Sequence, residues 1–100
     1  MLRHIVVWKL KAEAEGADKA ANAAKMADGL RALEGKIDGL VKLEVGMNSV
    51  ASTGAYDVAL VADFADEAAL AAYQVNPLHV AVAQFIALVR AERAVVDYII

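Results

Sequence analysis

The chain is 100 residues long, 60% hydrophobic and 23% charged, with 10 basic against 13 acidic side chains and no cysteine. That length holds one domain around one core, and the composition lies well outside the disordered range. A net charge of −3 with no cluster of Lys or Arg argues against a nucleic-acid surface, and the lack of cysteine excludes disulfides and thiolate metal sites.

Leu2 to Leu10 is a β-rich run centred on Ile5, Val6, Val7 and Trp8. It is too short to span a bilayer and is followed by Lys9 and Lys11, so it reads as a strand rather than a signal peptide. No membrane association is expected, and the cytoplasm is the default location. Leu2, His4, Val6, Trp8 and Leu10 share one face; Arg3, Ile5, Val7 and Lys9 share the other. Both faces are largely apolar, unlike those of a strand with one side in water.

From Asp18 to Glu34 the period becomes helical, with Ala23, Met26, Ala27, Leu30 and Leu33 on one stripe. Asp18 suits the N-cap and Gly35 the stop. Leu40 to Val45 forms a second strand ended by Gly46, and the polar stretch Met47 to Gly54 forms a loop. In a third strand, Tyr56 to Phe64, Tyr56, Val58, Leu60, Ala62 and Phe64 alternate with Asp57, Ala59, Val61 and Asp63. Asp66 caps a short helix from Glu67 to Tyr73. Asn76 and Pro77 then start another, whose apolar stripe is Leu78, Val82, Phe85, Ile86 and Val89. Ala94 to Ile100 closes the chain as a strand.

The order β-α-β-β-α-α-β predicts a single α+β domain over residues 1–100: a ferredoxin-like, four-stranded antiparallel sheet with its helices on one face. The other face then exposes Ile5, Val7, Ala59 and Val61, an apolar patch that monomers rarely leave bare. Face-to-face packing of two such sheets covers it, so the expected partner is a second copy of the chain.

Three polar residues stand out as candidates for chemistry. His79 falls in the first turn of its helix, where free N–H groups and the positive dipole end disfavour imidazolium. A neutral His79 could accept a proton while the Tyr73 hydroxyl polarises a carbonyl. His4 lies on the strand face of Val6 and Trp8. The competing structural reading makes the histidines backbone-bonded and Tyr73 a core filler. No metal-ligand spacing joins the two histidines, and Trp8, Tyr56 and Phe64 read as core aromatics.

The segment Leu70-Ala71-Ala72-Tyr73-Gln74-Val75-Asn76-Pro77-Leu78-His79 resembles an L-x-x-Y-x-x-H-P-x-H motif, with Asn76 replacing the histidine before proline. Asn76 can cap a helix there but cannot exchange a proton. That motif, the opening Arg3 to Lys11, the Gly46-Met47-Asn48 turn, the strand Tyr56 to Phe64 and the ending Val95 to Tyr98 together resemble the stress-responsive A/B barrel (Dabb) family. The resemblance covers essentially the whole chain. It implies a dimeric α+β barrel of two ferredoxin-like subunits. No cofactor and no metal are expected, since the sequence has no P-loop, no dinucleotide fingerprint and no metal-ligand spacing.

The family includes stress-induced structural proteins, bacterial proteins of unassigned activity and a plant polyketide cyclase. Carried over from that cyclase, acid–base roles fall on Tyr73 and His79, and His4 lines a pocket. Val6, Trp8 and Leu60 are its expected apolar walls, and its ligand a small hydrophobic or aromatic compound. Whether the chain is an enzyme stays open at this point. It is either a homodimeric Dabb protein with a small internal pocket, or a cofactor-free acid–base enzyme. Cofactor-independent oxygenation of a small carbonyl or phenolic compound is a further alternative by analogy of fold. A pocket filled by Trp8, Phe64 and Phe85 would favour the first reading.

Overall fold

A computed structural model describes residues 1–100. Its elements run β1 (Leu2–Leu10), β2 (Glu13–Ala14), β3 (Ala17–Asp18), α1 (Lys19–Arg31), β4 (Leu40–Met47), β5 (Val58–Phe64), α2 (Glu67–Val75), α3 (Pro77–Val89) and β6 (Arg90–Ile99). The four long strands form one antiparallel sheet in the order β4-β5-β1-β6. This is the ferredoxin-like α+β arrangement read from the sequence.

The alternation of β1 decides which face the helices cover. Leu2, His4, Val6, Trp8 and Leu10 are all buried, while Arg3, Ile5, Val7 and Lys9 are only half-buried. Their ladder partners follow suit: Val58, Leu60, Ala62 and Phe64 of β5 join the covered face. The α1 stripe of Ala23, Met26, Ala27 and Leu30 packs down on it, joined by Leu33 from the turn that follows, and all five are buried. On the opposite face Arg3 and Asp63 form a two-pronged ion pair at 2.8 and 3.0 Å, and the guanidinium holds the Asp63 carboxyl below its usual range.

Several sequence boundaries shift. α1 stops at Arg31 rather than Glu34, because the next turn tightens to Leu33 N–H···Leu30 O and Glu34 N–H···Arg31 O bonds before Gly35 turns the chain at φ +77°. Gly46 does not end β4: it pairs with Ala59, Met47 pairs with Val58, and the strand closes one residue before Asn48. α2 runs two residues past Tyr73. β6 begins at Arg90 instead of Ala94. Leu78, placed on the apolar stripe of α3, is exposed, and only Ile86 and Val89 of that stripe are fully buried.

The sequence reading lacked the β2–β3 ribbon. Buried Asn22 ties it to α1 by donating from Nδ2 to the Ala14 carbonyl at 2.9 Å. α2 settles close to the loop before β4: a Cβ on Gly39, itself at φ +81°, would lie 2.6 Å from the Ala69 methyl. No single helix is long and apolar enough to cross a membrane; α2 and α3 are apolar over their joint length but bent by 68°.

Candidate functional site

The break between α2 and α3 builds one wall of the site. Asn76 Oδ1 accepts a hydrogen bond from the Leu78 N–H at 2.9 Å, and Pro77 fills the first helical position, so α3 starts at a fixed point. The turn brings His79 back onto Tyr73, their ring centroids 4.1 Å apart and the planes inclined by 36°. Phe64 supports Tyr73 from the sheet at 4.9 Å, and His4 meets Phe64 edge-on at 6.2 Å.

Between the sheet and the helices lies a cavity of about 160 Å³. It matches in size an apolar cavity of about 150 Å³ that takes up benzene. The structure brings together at its walls all six residues singled out from sequence: His4, Val6, Trp8, Leu60, Tyr73 and His79. Leu30 of α1 and Ile86 of α3 complete much of the apolar lining. Trp8 forms a wall without closing the space. Phe64 is wholly buried beside it, and Phe85 lies under the Lys25 ammonium, 4.4 Å from its Nζ.

Two polar atoms of these walls are buried with no hydrogen-bond partner, the Tyr73 hydroxyl and His79 Nδ1. Burial pushes the Tyr73 hydroxyl up to about 12, so it stays a proton donor. Burial also lowers His79; the charges of His4 and Arg93 add to the effect and the Gln74 carbonyl opposes it. The helix terminus is the reason expected from the sequence for a neutral His79, and burial of the ring acts in the same direction.

His4 is held differently. Its Nδ1 is hydrogen-bonded to the Asp97 carboxylate, and the two residues face each other directly across the β1–β6 ladder. In the neutral ring this bond keeps the proton on Nδ1 and leaves the lone pair on Nε2. Sequence reasoning missed Asp97 as a partner, and it missed Arg90 and Arg93, which also line the cavity. Starting the last strand at Ala94 hid both arginines. The parity of Arg93, Val95 and Asp97 along a longer strand was the available signal. No group of three His, Cys, Asp or Glu side chains is placed to hold a metal ion.

Solved structures share this fold. A dimeric ferredoxin-like protein of unknown function from Bacteroides fragilis is 29% identical, with a TM-score of 0.87 over 99% of this chain and 95% of its own. A dimeric ferredoxin-like protein of unknown function from Thermobifida fusca is 27% identical, with a TM-score of 0.85 over 99% and 90%. A hydroxynitrile lyase from Passiflora edulis, 16% identical with a TM-score of 0.80 over 99% and 92%, shares the fold alone. Among curated proteins none is significantly similar in sequence. The model of the stress responsive A/B barrel domain matches residues 2–100, and the chain belongs to the Dabb family.

Proposed function

We propose that the protein works as a homodimer, paired through the open faces of its two sheets, in which each subunit holds a small, mostly apolar ligand in its own cavity. The observation that carries the ligand is one ring-sized, mostly apolar cavity with His4, Tyr73 and His79 among its lining residues. Two unpartnered polar atoms, the Tyr73 hydroxyl and His79 Nδ1, are buried in contacting rings of that lining; buried polar groups are nearly always satisfied, and a small rotation of either ring would offer them to a guest. The dimer is supported by the apolar open face of Ile5, Val7, Ala59 and Val61 and by the dimeric state of the similar proteins from B. fragilis and T. fusca. A cytoplasmic setting goes with this reading, since nothing in the fold depends on disulfides.

The test is calorimetric titration with a neutral monocyclic probe such as benzamide, on the full chain and on Ala83→Phe, which fills the cavity from α3. Binding to the parent chain that disappears in the variant, with the dimer retained, is the expected result. A parent chain that binds no ring compound sinks the cavity reading.

A second reading, acid–base catalysis, is favoured by the opposed states of the contacting pair. A hydroxyl held protonated can hydrogen-bond a carbonyl oxygen while a neutral imidazole removes the proton from the adjacent carbon. The carbon–hydrogen bond breaks, the electron pair passes to the enolate oxygen beside Tyr73, and His79 later returns the proton. Exchange of the methyl protons of acetophenone in deuterated water, followed by NMR, should be accelerated by the parent chain. It should fall to background in His79→Ala. Equal exchange in both would remove His79 from this role.

A further inference from the structure

Arg90 and Arg93 are three residues apart on one strand, and in a regular strand that spacing points side chains to opposite faces. Here both line the same cavity. The cause is a register shift in the β1–β6 ladder: Trp8 pairs with Arg93 and Lys9 with Glu92, but Leu10 pairs with Arg90, leaving Ala91 as the extra residue. Such a bulge re-aims a side chain, and this one turns Arg90 to the covered face. Neither arginine forms an ion pair, whereas Arg3 and Arg31 each have a carboxylate. No Asp or Glu lines the cavity, although the chain carries 13 of them. The nearby Asp97 is engaged by His4.

An overall acidic protein thus sets two uncommitted guanidiniums beside a ring-sized apolar space. We propose that the ligand is a small aromatic carboxylate, its ring against Val6, Trp8 and Leu60 and its carboxylate on Arg90 and Arg93. This rests on the cavity reading above and names the chemistry of its guest. A carboxylate matches the planar fork of arginine, and eight of the twelve lining residues are hydrophobic, which suits a ring better than a free inorganic anion.

The experiment is calorimetric titration of the full chain with benzoate, benzamide and inorganic phosphate at pH 7.5. Benzoate is expected to bind about tenfold tighter than benzamide or more, and phosphate more weakly than benzoate. The double variant Arg90→Gln/Arg93→Gln should lose the benzoate preference and keep benzamide binding, while Arg90→Lys/Arg93→Lys, which keeps the charge but not the fork, should retain only part of the preference. Equal affinities for benzoate and benzamide in the parent chain would overturn the carboxylate assignment and leave the cavity reading standing. Phosphate binding as tightly as benzoate would overturn it too, by showing a plain anion site. Failure of both ring compounds would overturn the cavity reading with it. Should the glutamine variant not fold, the three-probe comparison on the parent chain decides.

Discussion

The two faces of the sheet are built from the same strands and are covered to very different extents. On the covered face Val6, Leu60, Ala62 and Phe64 are almost wholly inaccessible, and the packing leaves one cavity lined by His4, Tyr73 and His79. On the open face Ile5, Val7, Ala59 and Val61 remain half-exposed within a single chain, bordered by the Arg3–Asp63 and Lys9–Glu92 ion pairs. Over β1 and β5 the covered face is finished by intrachain packing, while along β6 Val95 and Ile99 of the same face stay exposed. The other is unfinished until a second apolar surface meets it. On the proposed function the two sides divide the work: ligand chemistry would belong to the covered side and assembly to the open side.

Adjacent residues of β1 give the sharpest way to break this division. Val6 is 1% exposed under the helices, so Val6→Asp buries an unpaired carboxylate in the core. The expected cost is about 5 kcal/mol, comparable to the whole stability of a small domain, and thermal melting should show no cooperative transition. Val7 faces the other way, between Ala59 and Ala94 in the ladder. Val7→Asp should leave the subunit folded while weakening the dimer by about 3 kcal/mol, at least a hundredfold in dissociation constant. Sedimentation of Val7→Asp as a stable dimer would show that the open face is not the interface.

The fold was legible because its signals were local and repeated. Period-2 alternation in β1 and β5 and the helical stripe of Ala23, Met26, Ala27 and Leu30 each gave the right element and the right face, and Leu33 is buried as expected though it lies in the turn past the helix. The capping roles of Asp18, Asp66 and Asn76 were equally plain, and all three side chains accept the expected backbone N–H. What stayed hidden was non-local. The Ala91 bulge depends on how β6 pairs with β1, and neither strand's composition announces it. The His4–Asp97 bond joins the two ends of the chain through that same ladder. Gly46 misled because glycine suggested a stop, yet its backbone is ordinary strand and the ladder runs on to Met47.

A smaller effect tests whether the α2–α3 break serves the covered side. Asn76 fixes the start of α3, and the stack of His79 on Tyr73 hangs on that start. Asn76→Ala should lower stability by about 1 kcal/mol through the lost cap. It should also weaken benzamide binding, because the cavity wall loses its anchor, and leave the sedimentation of the dimer unchanged. A variant with parental melting and binding would mean that Pro77 alone sets the start of the helix.

The smallest effect expected is the pH dependence that His79 adds above the acid range in which Asp63 titrates. Burial lowers its folded-state affinity for protons below the ordinary histidine value, about 6.5 in the unfolded chain. Between those two values the unfolded chain binds more protons than the folded one, so stability rises with pH across that window. The contribution is complete above about pH 6.5 and is lost as pH falls through the lower, folded-state value. Melting curves from pH 4.5 to 7.5 should therefore differ between the parent chain and His79→Gln, with the acid-side loss shallower in the variant. Parallel curves would mean that His79 titrates alike in both states. Its imidazole would then be freely hydrated, and the covered face would lose the feature that separates it from a plain core.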